Sequence, residues 1–129
     1  MSLSFVSASP DVAGWKYQVE VTVKNPLPRP LKLDGPSVAE KGQLRNDLFE
    51  VTVDGARVEY QGLMARRAPP SKFVAVAPGA SYRVVVELGK EYPIPAGPHR
   101  VSVTFSHHNH FSPDDVDLKS EALTFDLGR

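Results

Sequence analysis

Fifteen basic and fifteen acidic side chains cancel over 129 residues, so no net field would draw a nucleic acid or an anionic membrane surface to this chain, and neither is expected as a partner. The length fits one compact domain, residues 1–129, able to bury a real core. The absence of cysteine excludes disulfides and thiolate metal sites, and twelve prolines and nine glycines among recurrent Val-rich segments exclude a helical protein.

The opening "MSLSFVSASP" has no basic region followed by a long apolar run, so it is not a secretory signal as it stands. Phe5-Val6 is a first short strand. In "YQVEVTVKN", Tyr17, Val19, Val21 and Val23 alternate with polar neighbours, the period of two expected when one face is buried and the other wetted. "NPLPRP", residues 25–30, cannot be a central strand, because its three prolines donate no ladder hydrogen bonds. It reads as an edge or crossover before the short run Leu31–Leu33. "VAEKGQLRNDLF" holds one helical turn at most, given Gly42 and the lack of a 3.6-residue apolar stripe.

"LFEVTVDGARVEY" repeats the alternation around Asp54-Gly55, a dipeptide that accepts the positive φ angles of a tight hairpin, so residues 48–53 and 56–60 should pair. "SKFVAVAPGASYRVVVELG" offers two strands about Pro78-Gly79, with Tyr82, Val84, Val86 and Leu88 on one face of the second. "GPHRVSVTFS" sets Val101, Val103 and Phe105 together after a turn at residues 95–98, and "SEALTFDL" opposes Leu123, Phe125 and Leu127 to Ala122, Thr124 and Asp126. The predicted fold is all-β: an antiparallel immunoglobulin-like β-sandwich of about eight or nine short strands. No segment approaches the roughly 20 apolar residues that span a bilayer, so a soluble chain is expected.

"SHHNHFSPDD", residues 106–115, holds three of the four histidines. On an extended backbone His108 and His110 share a face while His107 points away, and Asp114 or Asp115 could return after Ser112-Pro113 as an oxygen ligand for zinc or nickel. The same residue types also make a solvated polar loop, which is the expected state of the segment, with no native cofactor. No H-E-x-x-H, G-x-S-x-G, phosphate-binding loop or G-x-G-x-x-G occurs, so no catalytic residue is assigned and a non-enzymatic chain is expected. "ARRAPPSK" places Arg66, Arg67 and Lys72 around Pro69-Pro70. A stiff, basic loop loses little entropy on docking, and arginine is enriched at interface centres, so a binding loop, where one exists, is this one. Trp15 packs against the first sandwich strand in preference to serving as a glycan platform.

From "LRNDLFEVTVDGARVEYQGLMARRAPPSKFVAVAPGASYRVVVELGKEYPIPAGPHRVSV" the order of features resembles the non-catalytic β-sandwich region that precedes the catalytic domain of aspzincin zinc metallopeptidases, the deuterolysin and peptidyl-lysine endopeptidase group. The matching elements are Asp47-Leu48-Phe49, Val53-Asp54-Gly55, Tyr60-Gln61-Gly62, Arg66-Arg67-Ala68-Pro69, Ala77 to Ser81 and Tyr92 to Gly97, with coverage of residues 17–105. The zinc-binding helix of that family has no counterpart here, so no catalytic residue carries over. The resemblance implies a propeptide-like module that binds a protein partner, a zinc metallopeptidase, as inhibitor or folding assistant, in a secreted or periplasmic setting. The alternatives are a metal-binding module using His108, His110 and Asp114, and an adhesion or glycan-binding sandwich.

Overall fold

The computed structural model describes residues 1–12, 14–62, 73–108 and 117–128, with the last residue of the third span described by its backbone alone. Among them are ten strands: β1 (Ser2–Asp11), β2 (Gly14–Lys24), β3 (Leu31–Leu33), β4 (Phe49–Val53), β5 (Ala56–Val58), β6 (Val74–Val76), β7 (Ser81–Glu87), β8 (His99–His108), β9 (Asp117–Lys119) and β10 (Leu123–Leu127). One antiparallel sheet runs β1–β2–β7 and the other β10–β8–β4–β5, with β9 added to β8; β3 and β6 form a two-stranded ribbon. The chain is an all-β, antiparallel β-sandwich.

The period of two supplies the core directly, because each inward side chain meets an inward partner. Val19 stands opposite Phe5 of β1 and Val86 of β7, and Val21 opposite Leu3 and Val84. In the other sheet Phe49, Val51 and Val53 face Phe105, Val103 and Val101 across β4–β8. Most of these side chains are inaccessible to solvent, each worth roughly 1.5–3 kcal/mol of transfer free energy when fully buried. The Phe49 ring meets Phe105 edge-on with centroids 5.2 Å apart, the geometry that aligns ring edge with ring face. Asp54 and Gly55 take φ of 51° and 85°, the two positive angles that the expected β4–β5 hairpin needs.

Two features differ from the sequence expectation and one adds to it. Phe5-Val6 is the middle of a ten-residue strand with a bulge between Phe5 and Ser7, whose serines had hidden the alternation. The strands flanking Pro78-Gly79 do not pair with each other: β6 pairs with β3, and β7 with β2. β8 runs on through His107 and His108 and pairs with β9, where a loop was expected. The stretch before β4 forms two short 3₁₀ turns, Gly35–Ser37 and Glu40–Gly42. Gly42, at φ 76°, lies so close to the Val85 carbonyl that a Cβ would sit 2.7 Å from its oxygen, so this turn shields the β7 edge.

Asn25 explains how the proline-rich connection is held without a ladder. Its buried amide donates to the carbonyls of Arg29 and Val76, both at 2.8 Å, and its Oδ1 accepts the Leu27 N–H at 2.9 Å. Its backbone N–H bonds to the Ala80 carbonyl and its carbonyl accepts the Gly79 N–H. The side chain thus replaces bonds that Pro26, Pro28 and Pro30 cannot make and ties that connection to β6, while the backbone of the same residue ties it to the turn before β7. Asn25→Ala, which leaves the buried bond to the Val76 carbonyl and the part-buried bonds to the Arg29 carbonyl and the Leu27 N–H unmade, should cost about 1–3 kcal/mol in denaturant unfolding. Asn25→Asp should also destabilise, since a carboxylate turns only acceptors toward two carbonyls.

Candidate functional site

Tyr92 lies in "KEYPIPAGP", a turn-rich stretch with no strand pattern, yet it is fully buried. Its phenol donates to Asp47 Oδ1 at 2.6 Å and accepts the Phe49 N–H at 3.1 Å, so it fixes the entry to β4. Its carbonyl accepts the Tyr17 phenol at 2.8 Å, which reaches across from β2 in the other sheet. The Tyr60 ring packs on Tyr92 with centroids 5.3 Å apart, and the neighbouring Gln61 N–H bonds to the Glu91 carbonyl at 2.7 Å. Gly62 then follows where a Cβ would collide with the Tyr60 phenol. An aromatic residue stranded in a turn-rich segment was the one signal in the sequence that could have revealed this cluster.

The cluster forms one stem of the basic segment. Arg66, Arg67, Pro69, Pro70 and Lys72 lie outside the described residues, but the chain on either side of them is fixed. On the near side Tyr60–Gly62 is held by Tyr92 and Glu91. On the far side Val74–Val76 pairs with Leu31–Leu33, and the Val76 carbonyl is held by Asn25.

The histidine segment is built differently. β8 and β9 form a hairpin with Ser106 opposite Lys119, His107 opposite Leu118 and His108 opposite Asp117. A shallow hollow of about 270 Å³ at this end is lined by Ser106, His107, Asp117, Leu118 and Lys119. His110 and Asp114 lie outside the described residues, as does the side chain of His108. Among the described residues no group of three or more His, Asp or Glu side chains is placed to share a metal. The register adds Asp117 to the candidate ligands, a residue that only strand pairing could bring opposite His108.

Two further places hold polar chemistry. Trp15 lines a cleft of about 480 Å³ with Asp11, Lys16, Glu87, Lys90 and Ile94. Its indole N–H is committed to the Gly97 carbonyl at 2.9 Å, and Glu87 accepts the N–H groups of Tyr17 and Gly89, so this wall of the cleft is occupied in holding the fold. Asp54 accepts the Arg100 N–H and pairs with His99 Nδ1 at 2.7 Å, which raises the imidazole pKa above its ordinary 6.5. No protein-family description matches this chain, and no curated protein matches it in sequence.

Burial raises the phenol pKa of Tyr17 and Tyr92 well above 10, reinforced by the Glu87 charge at Tyr17 and by the Asp47 hydrogen bond at Tyr92; burial brings Tyr82 to about 12. Because the folded-state values are raised, their contribution to stability is fully present below the unfolded value of about 10 and is lost as pH climbs through the folded values. Alkaline titration followed by tyrosinate absorbance and circular dichroism should show Tyr17 and Tyr92 ionising together with unfolding. Smooth ionisation of all the tyrosines near pH 10 with the fold intact would contradict the network. Metal binding by the β8–β9 hairpin requires that zinc give saturable one-site heat in calorimetry that is lost in His108→Ala and weakened in Asp117→Asn; heat of dilution alone removes that reading.

Proposed function

We propose that this chain is a non-enzymatic protein-binding module that acts as inhibitor or folding assistant of a zinc metallopeptidase, with the basic segment around Arg66 and Arg67 as its contact. The observation that carries the reading is the meeting of Asp47, Tyr60 and Tyr92 in one cluster. These residues belong to three separate motifs on which the resemblance to the aspzincin pro-region rests. The cluster also holds a stem of the basic segment. A segment leaving from and returning to fixed stems loses less entropy on docking than one hung from frayed ends.

The chemistry of the contact follows from the residue types. Arg66 and Arg67 would make charge-assisted hydrogen bonds to carboxylates of the peptidase, which planar guanidinium groups serve better than lysine. Pro69-Pro70 restricts the backbone beside them, and Lys72 extends the positive charge. Such a partner places the module in a secreted or periplasmic setting. Among the described residues no helix is long and apolar enough to cross a membrane.

The test is capture of a deuterolysin-type zinc peptidase on the surface-coupled chain. Replacing Arg66 and Arg67 together by alanine should weaken binding by at least about 10- to 100-fold, the loss expected for a single charge-assisted contact of roughly 1.5–3 kcal/mol. Unchanged affinity would remove these residues from the contact, and absence of capture by the unaltered chain would remove the reading.

A further inference from the structure

His99 opens β8 on the same row as the buried Val101, Val103 and Phe105, and stands opposite the buried Leu127 of β10. A polar ring at the end of an apolar row is costly unless its nitrogens are engaged. One of them is: Nδ1 lies 2.7 Å from Asp54 Oδ2, while Asp54 Oδ1 accepts the Arg100 N–H at 2.8 Å. The Asp54 N–H donates to the Arg100 carbonyl at 2.8 Å, so the carboxylate sits on a hairpin turn that is itself bonded to β8. The other nitrogen, Nε2, is buried and has no hydrogen-bond partner among the described residues.

The surroundings suit a ring with both nitrogens protonated. Besides Asp54, the carbonyls of Pro95 and Ala96, in the turn that leads into β8, lie close enough to favour the protonated form. In the neutral ring one proton serves Asp54, and Nε2 is left with a buried lone pair beside acceptors. A second proton makes Nε2 a donor with a carbonyl to meet. Among the described residues Asp54 is the one charge that bears on the ring. Residues 95–98 and Leu127 carry none, and Arg57, Arg100 and Asp126 are exposed on the outer rows of their strands.

The same turn holds the single tryptophan. The Gly97 carbonyl accepts the Trp15 indole N–H at 2.9 Å, and the Ile94 carbonyl accepts the Trp15 backbone N–H at 3.0 Å. Residues 94–97 therefore offer carbonyls to Trp15 at both ends and to His99 in the middle, and Trp15 and Ile94 line one cleft.

We infer that His99 and Asp54 form a pH-operated clasp on the turn at residues 95–98. With both ring nitrogens protonated the clasp holds the turn and, through Gly97, the Trp15 indole; when Nε2 loses its proton the turn loosens and the wall of the Trp15 cleft shifts. The device does not depend on the peptidase reading. Because folding raises the imidazole pKa above its ordinary 6.5, the clasp contributes fully below that value and is lost as pH rises through the folded one.

The test is a titration of the folded chain between about pH 5 and 9. In NMR the His99 ring signals, assigned by their loss in His99→Asn, should titrate with a midpoint above 6.5, and the fluorescence of Trp15 should change with the same midpoint. His99→Asn should abolish the fluorescence transition. Asp54→Asn keeps an oxygen for the Arg100 N–H and a side chain that tolerates φ of 51°, so the hairpin stays while both midpoints move together to lower pH. A His99 midpoint at or below 6.5, a Trp15 signal flat across the range, a transition that survives His99→Asn, or midpoints unmoved in Asp54→Asn would overturn the inference.

Discussion

The hydrogen bond from the buried Tyr92 phenol to Asp47 is the constraint on which much of the arrangement depends. A phenol taken out of water needs a partner for its proton, and Asp47 supplies one just before β4. The same oxygen accepts the Phe49 N–H, so the entry to the central strand of one sheet is set by a side chain from the β7–β8 connection. Tyr17 completes the tie from the other sheet by donating to the Tyr92 carbonyl. Two packed sheets can slide over an apolar interface at little cost; directed bonds between them remove that freedom.

Asn25 plays the corresponding part at the other end of β2. Three prolines after it interrupt any ladder, and a buried amide with every polar atom satisfied carries the chain across to β3 and β6. Both devices place a polar group in the interior and then fill its bonding capacity. That is why both are costly to truncate, whereas a buried valine can lose a methyl group for less.

The outer faces of the sheets are mostly polar, with Gln18, Glu20 and Thr22 around the exposed Val85 on one and Thr52, Ser102 and Thr124 on the other. Such faces remain hydrated and offer few anchors, so recognition falls to the ends and edges of the sandwich. The basic segment leaves from the Tyr92 cluster, and the histidine segment leaves from the β8–β9 hairpin. Each is attached to a rigid frame, which separates the residues that would do the binding from those that hold the fold.

The strands were legible in the sequence wherever one side chain in two is apolar: β2, β4, β7, β8 and β10 each follow from that alternation, and the β4–β5 turn follows from Asp54-Gly55. β1 was half hidden because serine fills its outward positions and the bulge at Val6 breaks its phase. Arg66 and Arg67 were visible as a basic, proline-stiffened run, and His107 to His110 as a cluster, since composition alone displays them. Tertiary structure decided what composition could not: that β6 turns away from β7 to join β3, that Asp117 comes opposite His108, and that Asp47, Tyr60 and Tyr92 meet. Alternation along a strand records which face is buried, a local property written in neighbouring residues. Which strand lies beside which depends on contacts between residues far apart in the chain, and only the folded arrangement brings those together.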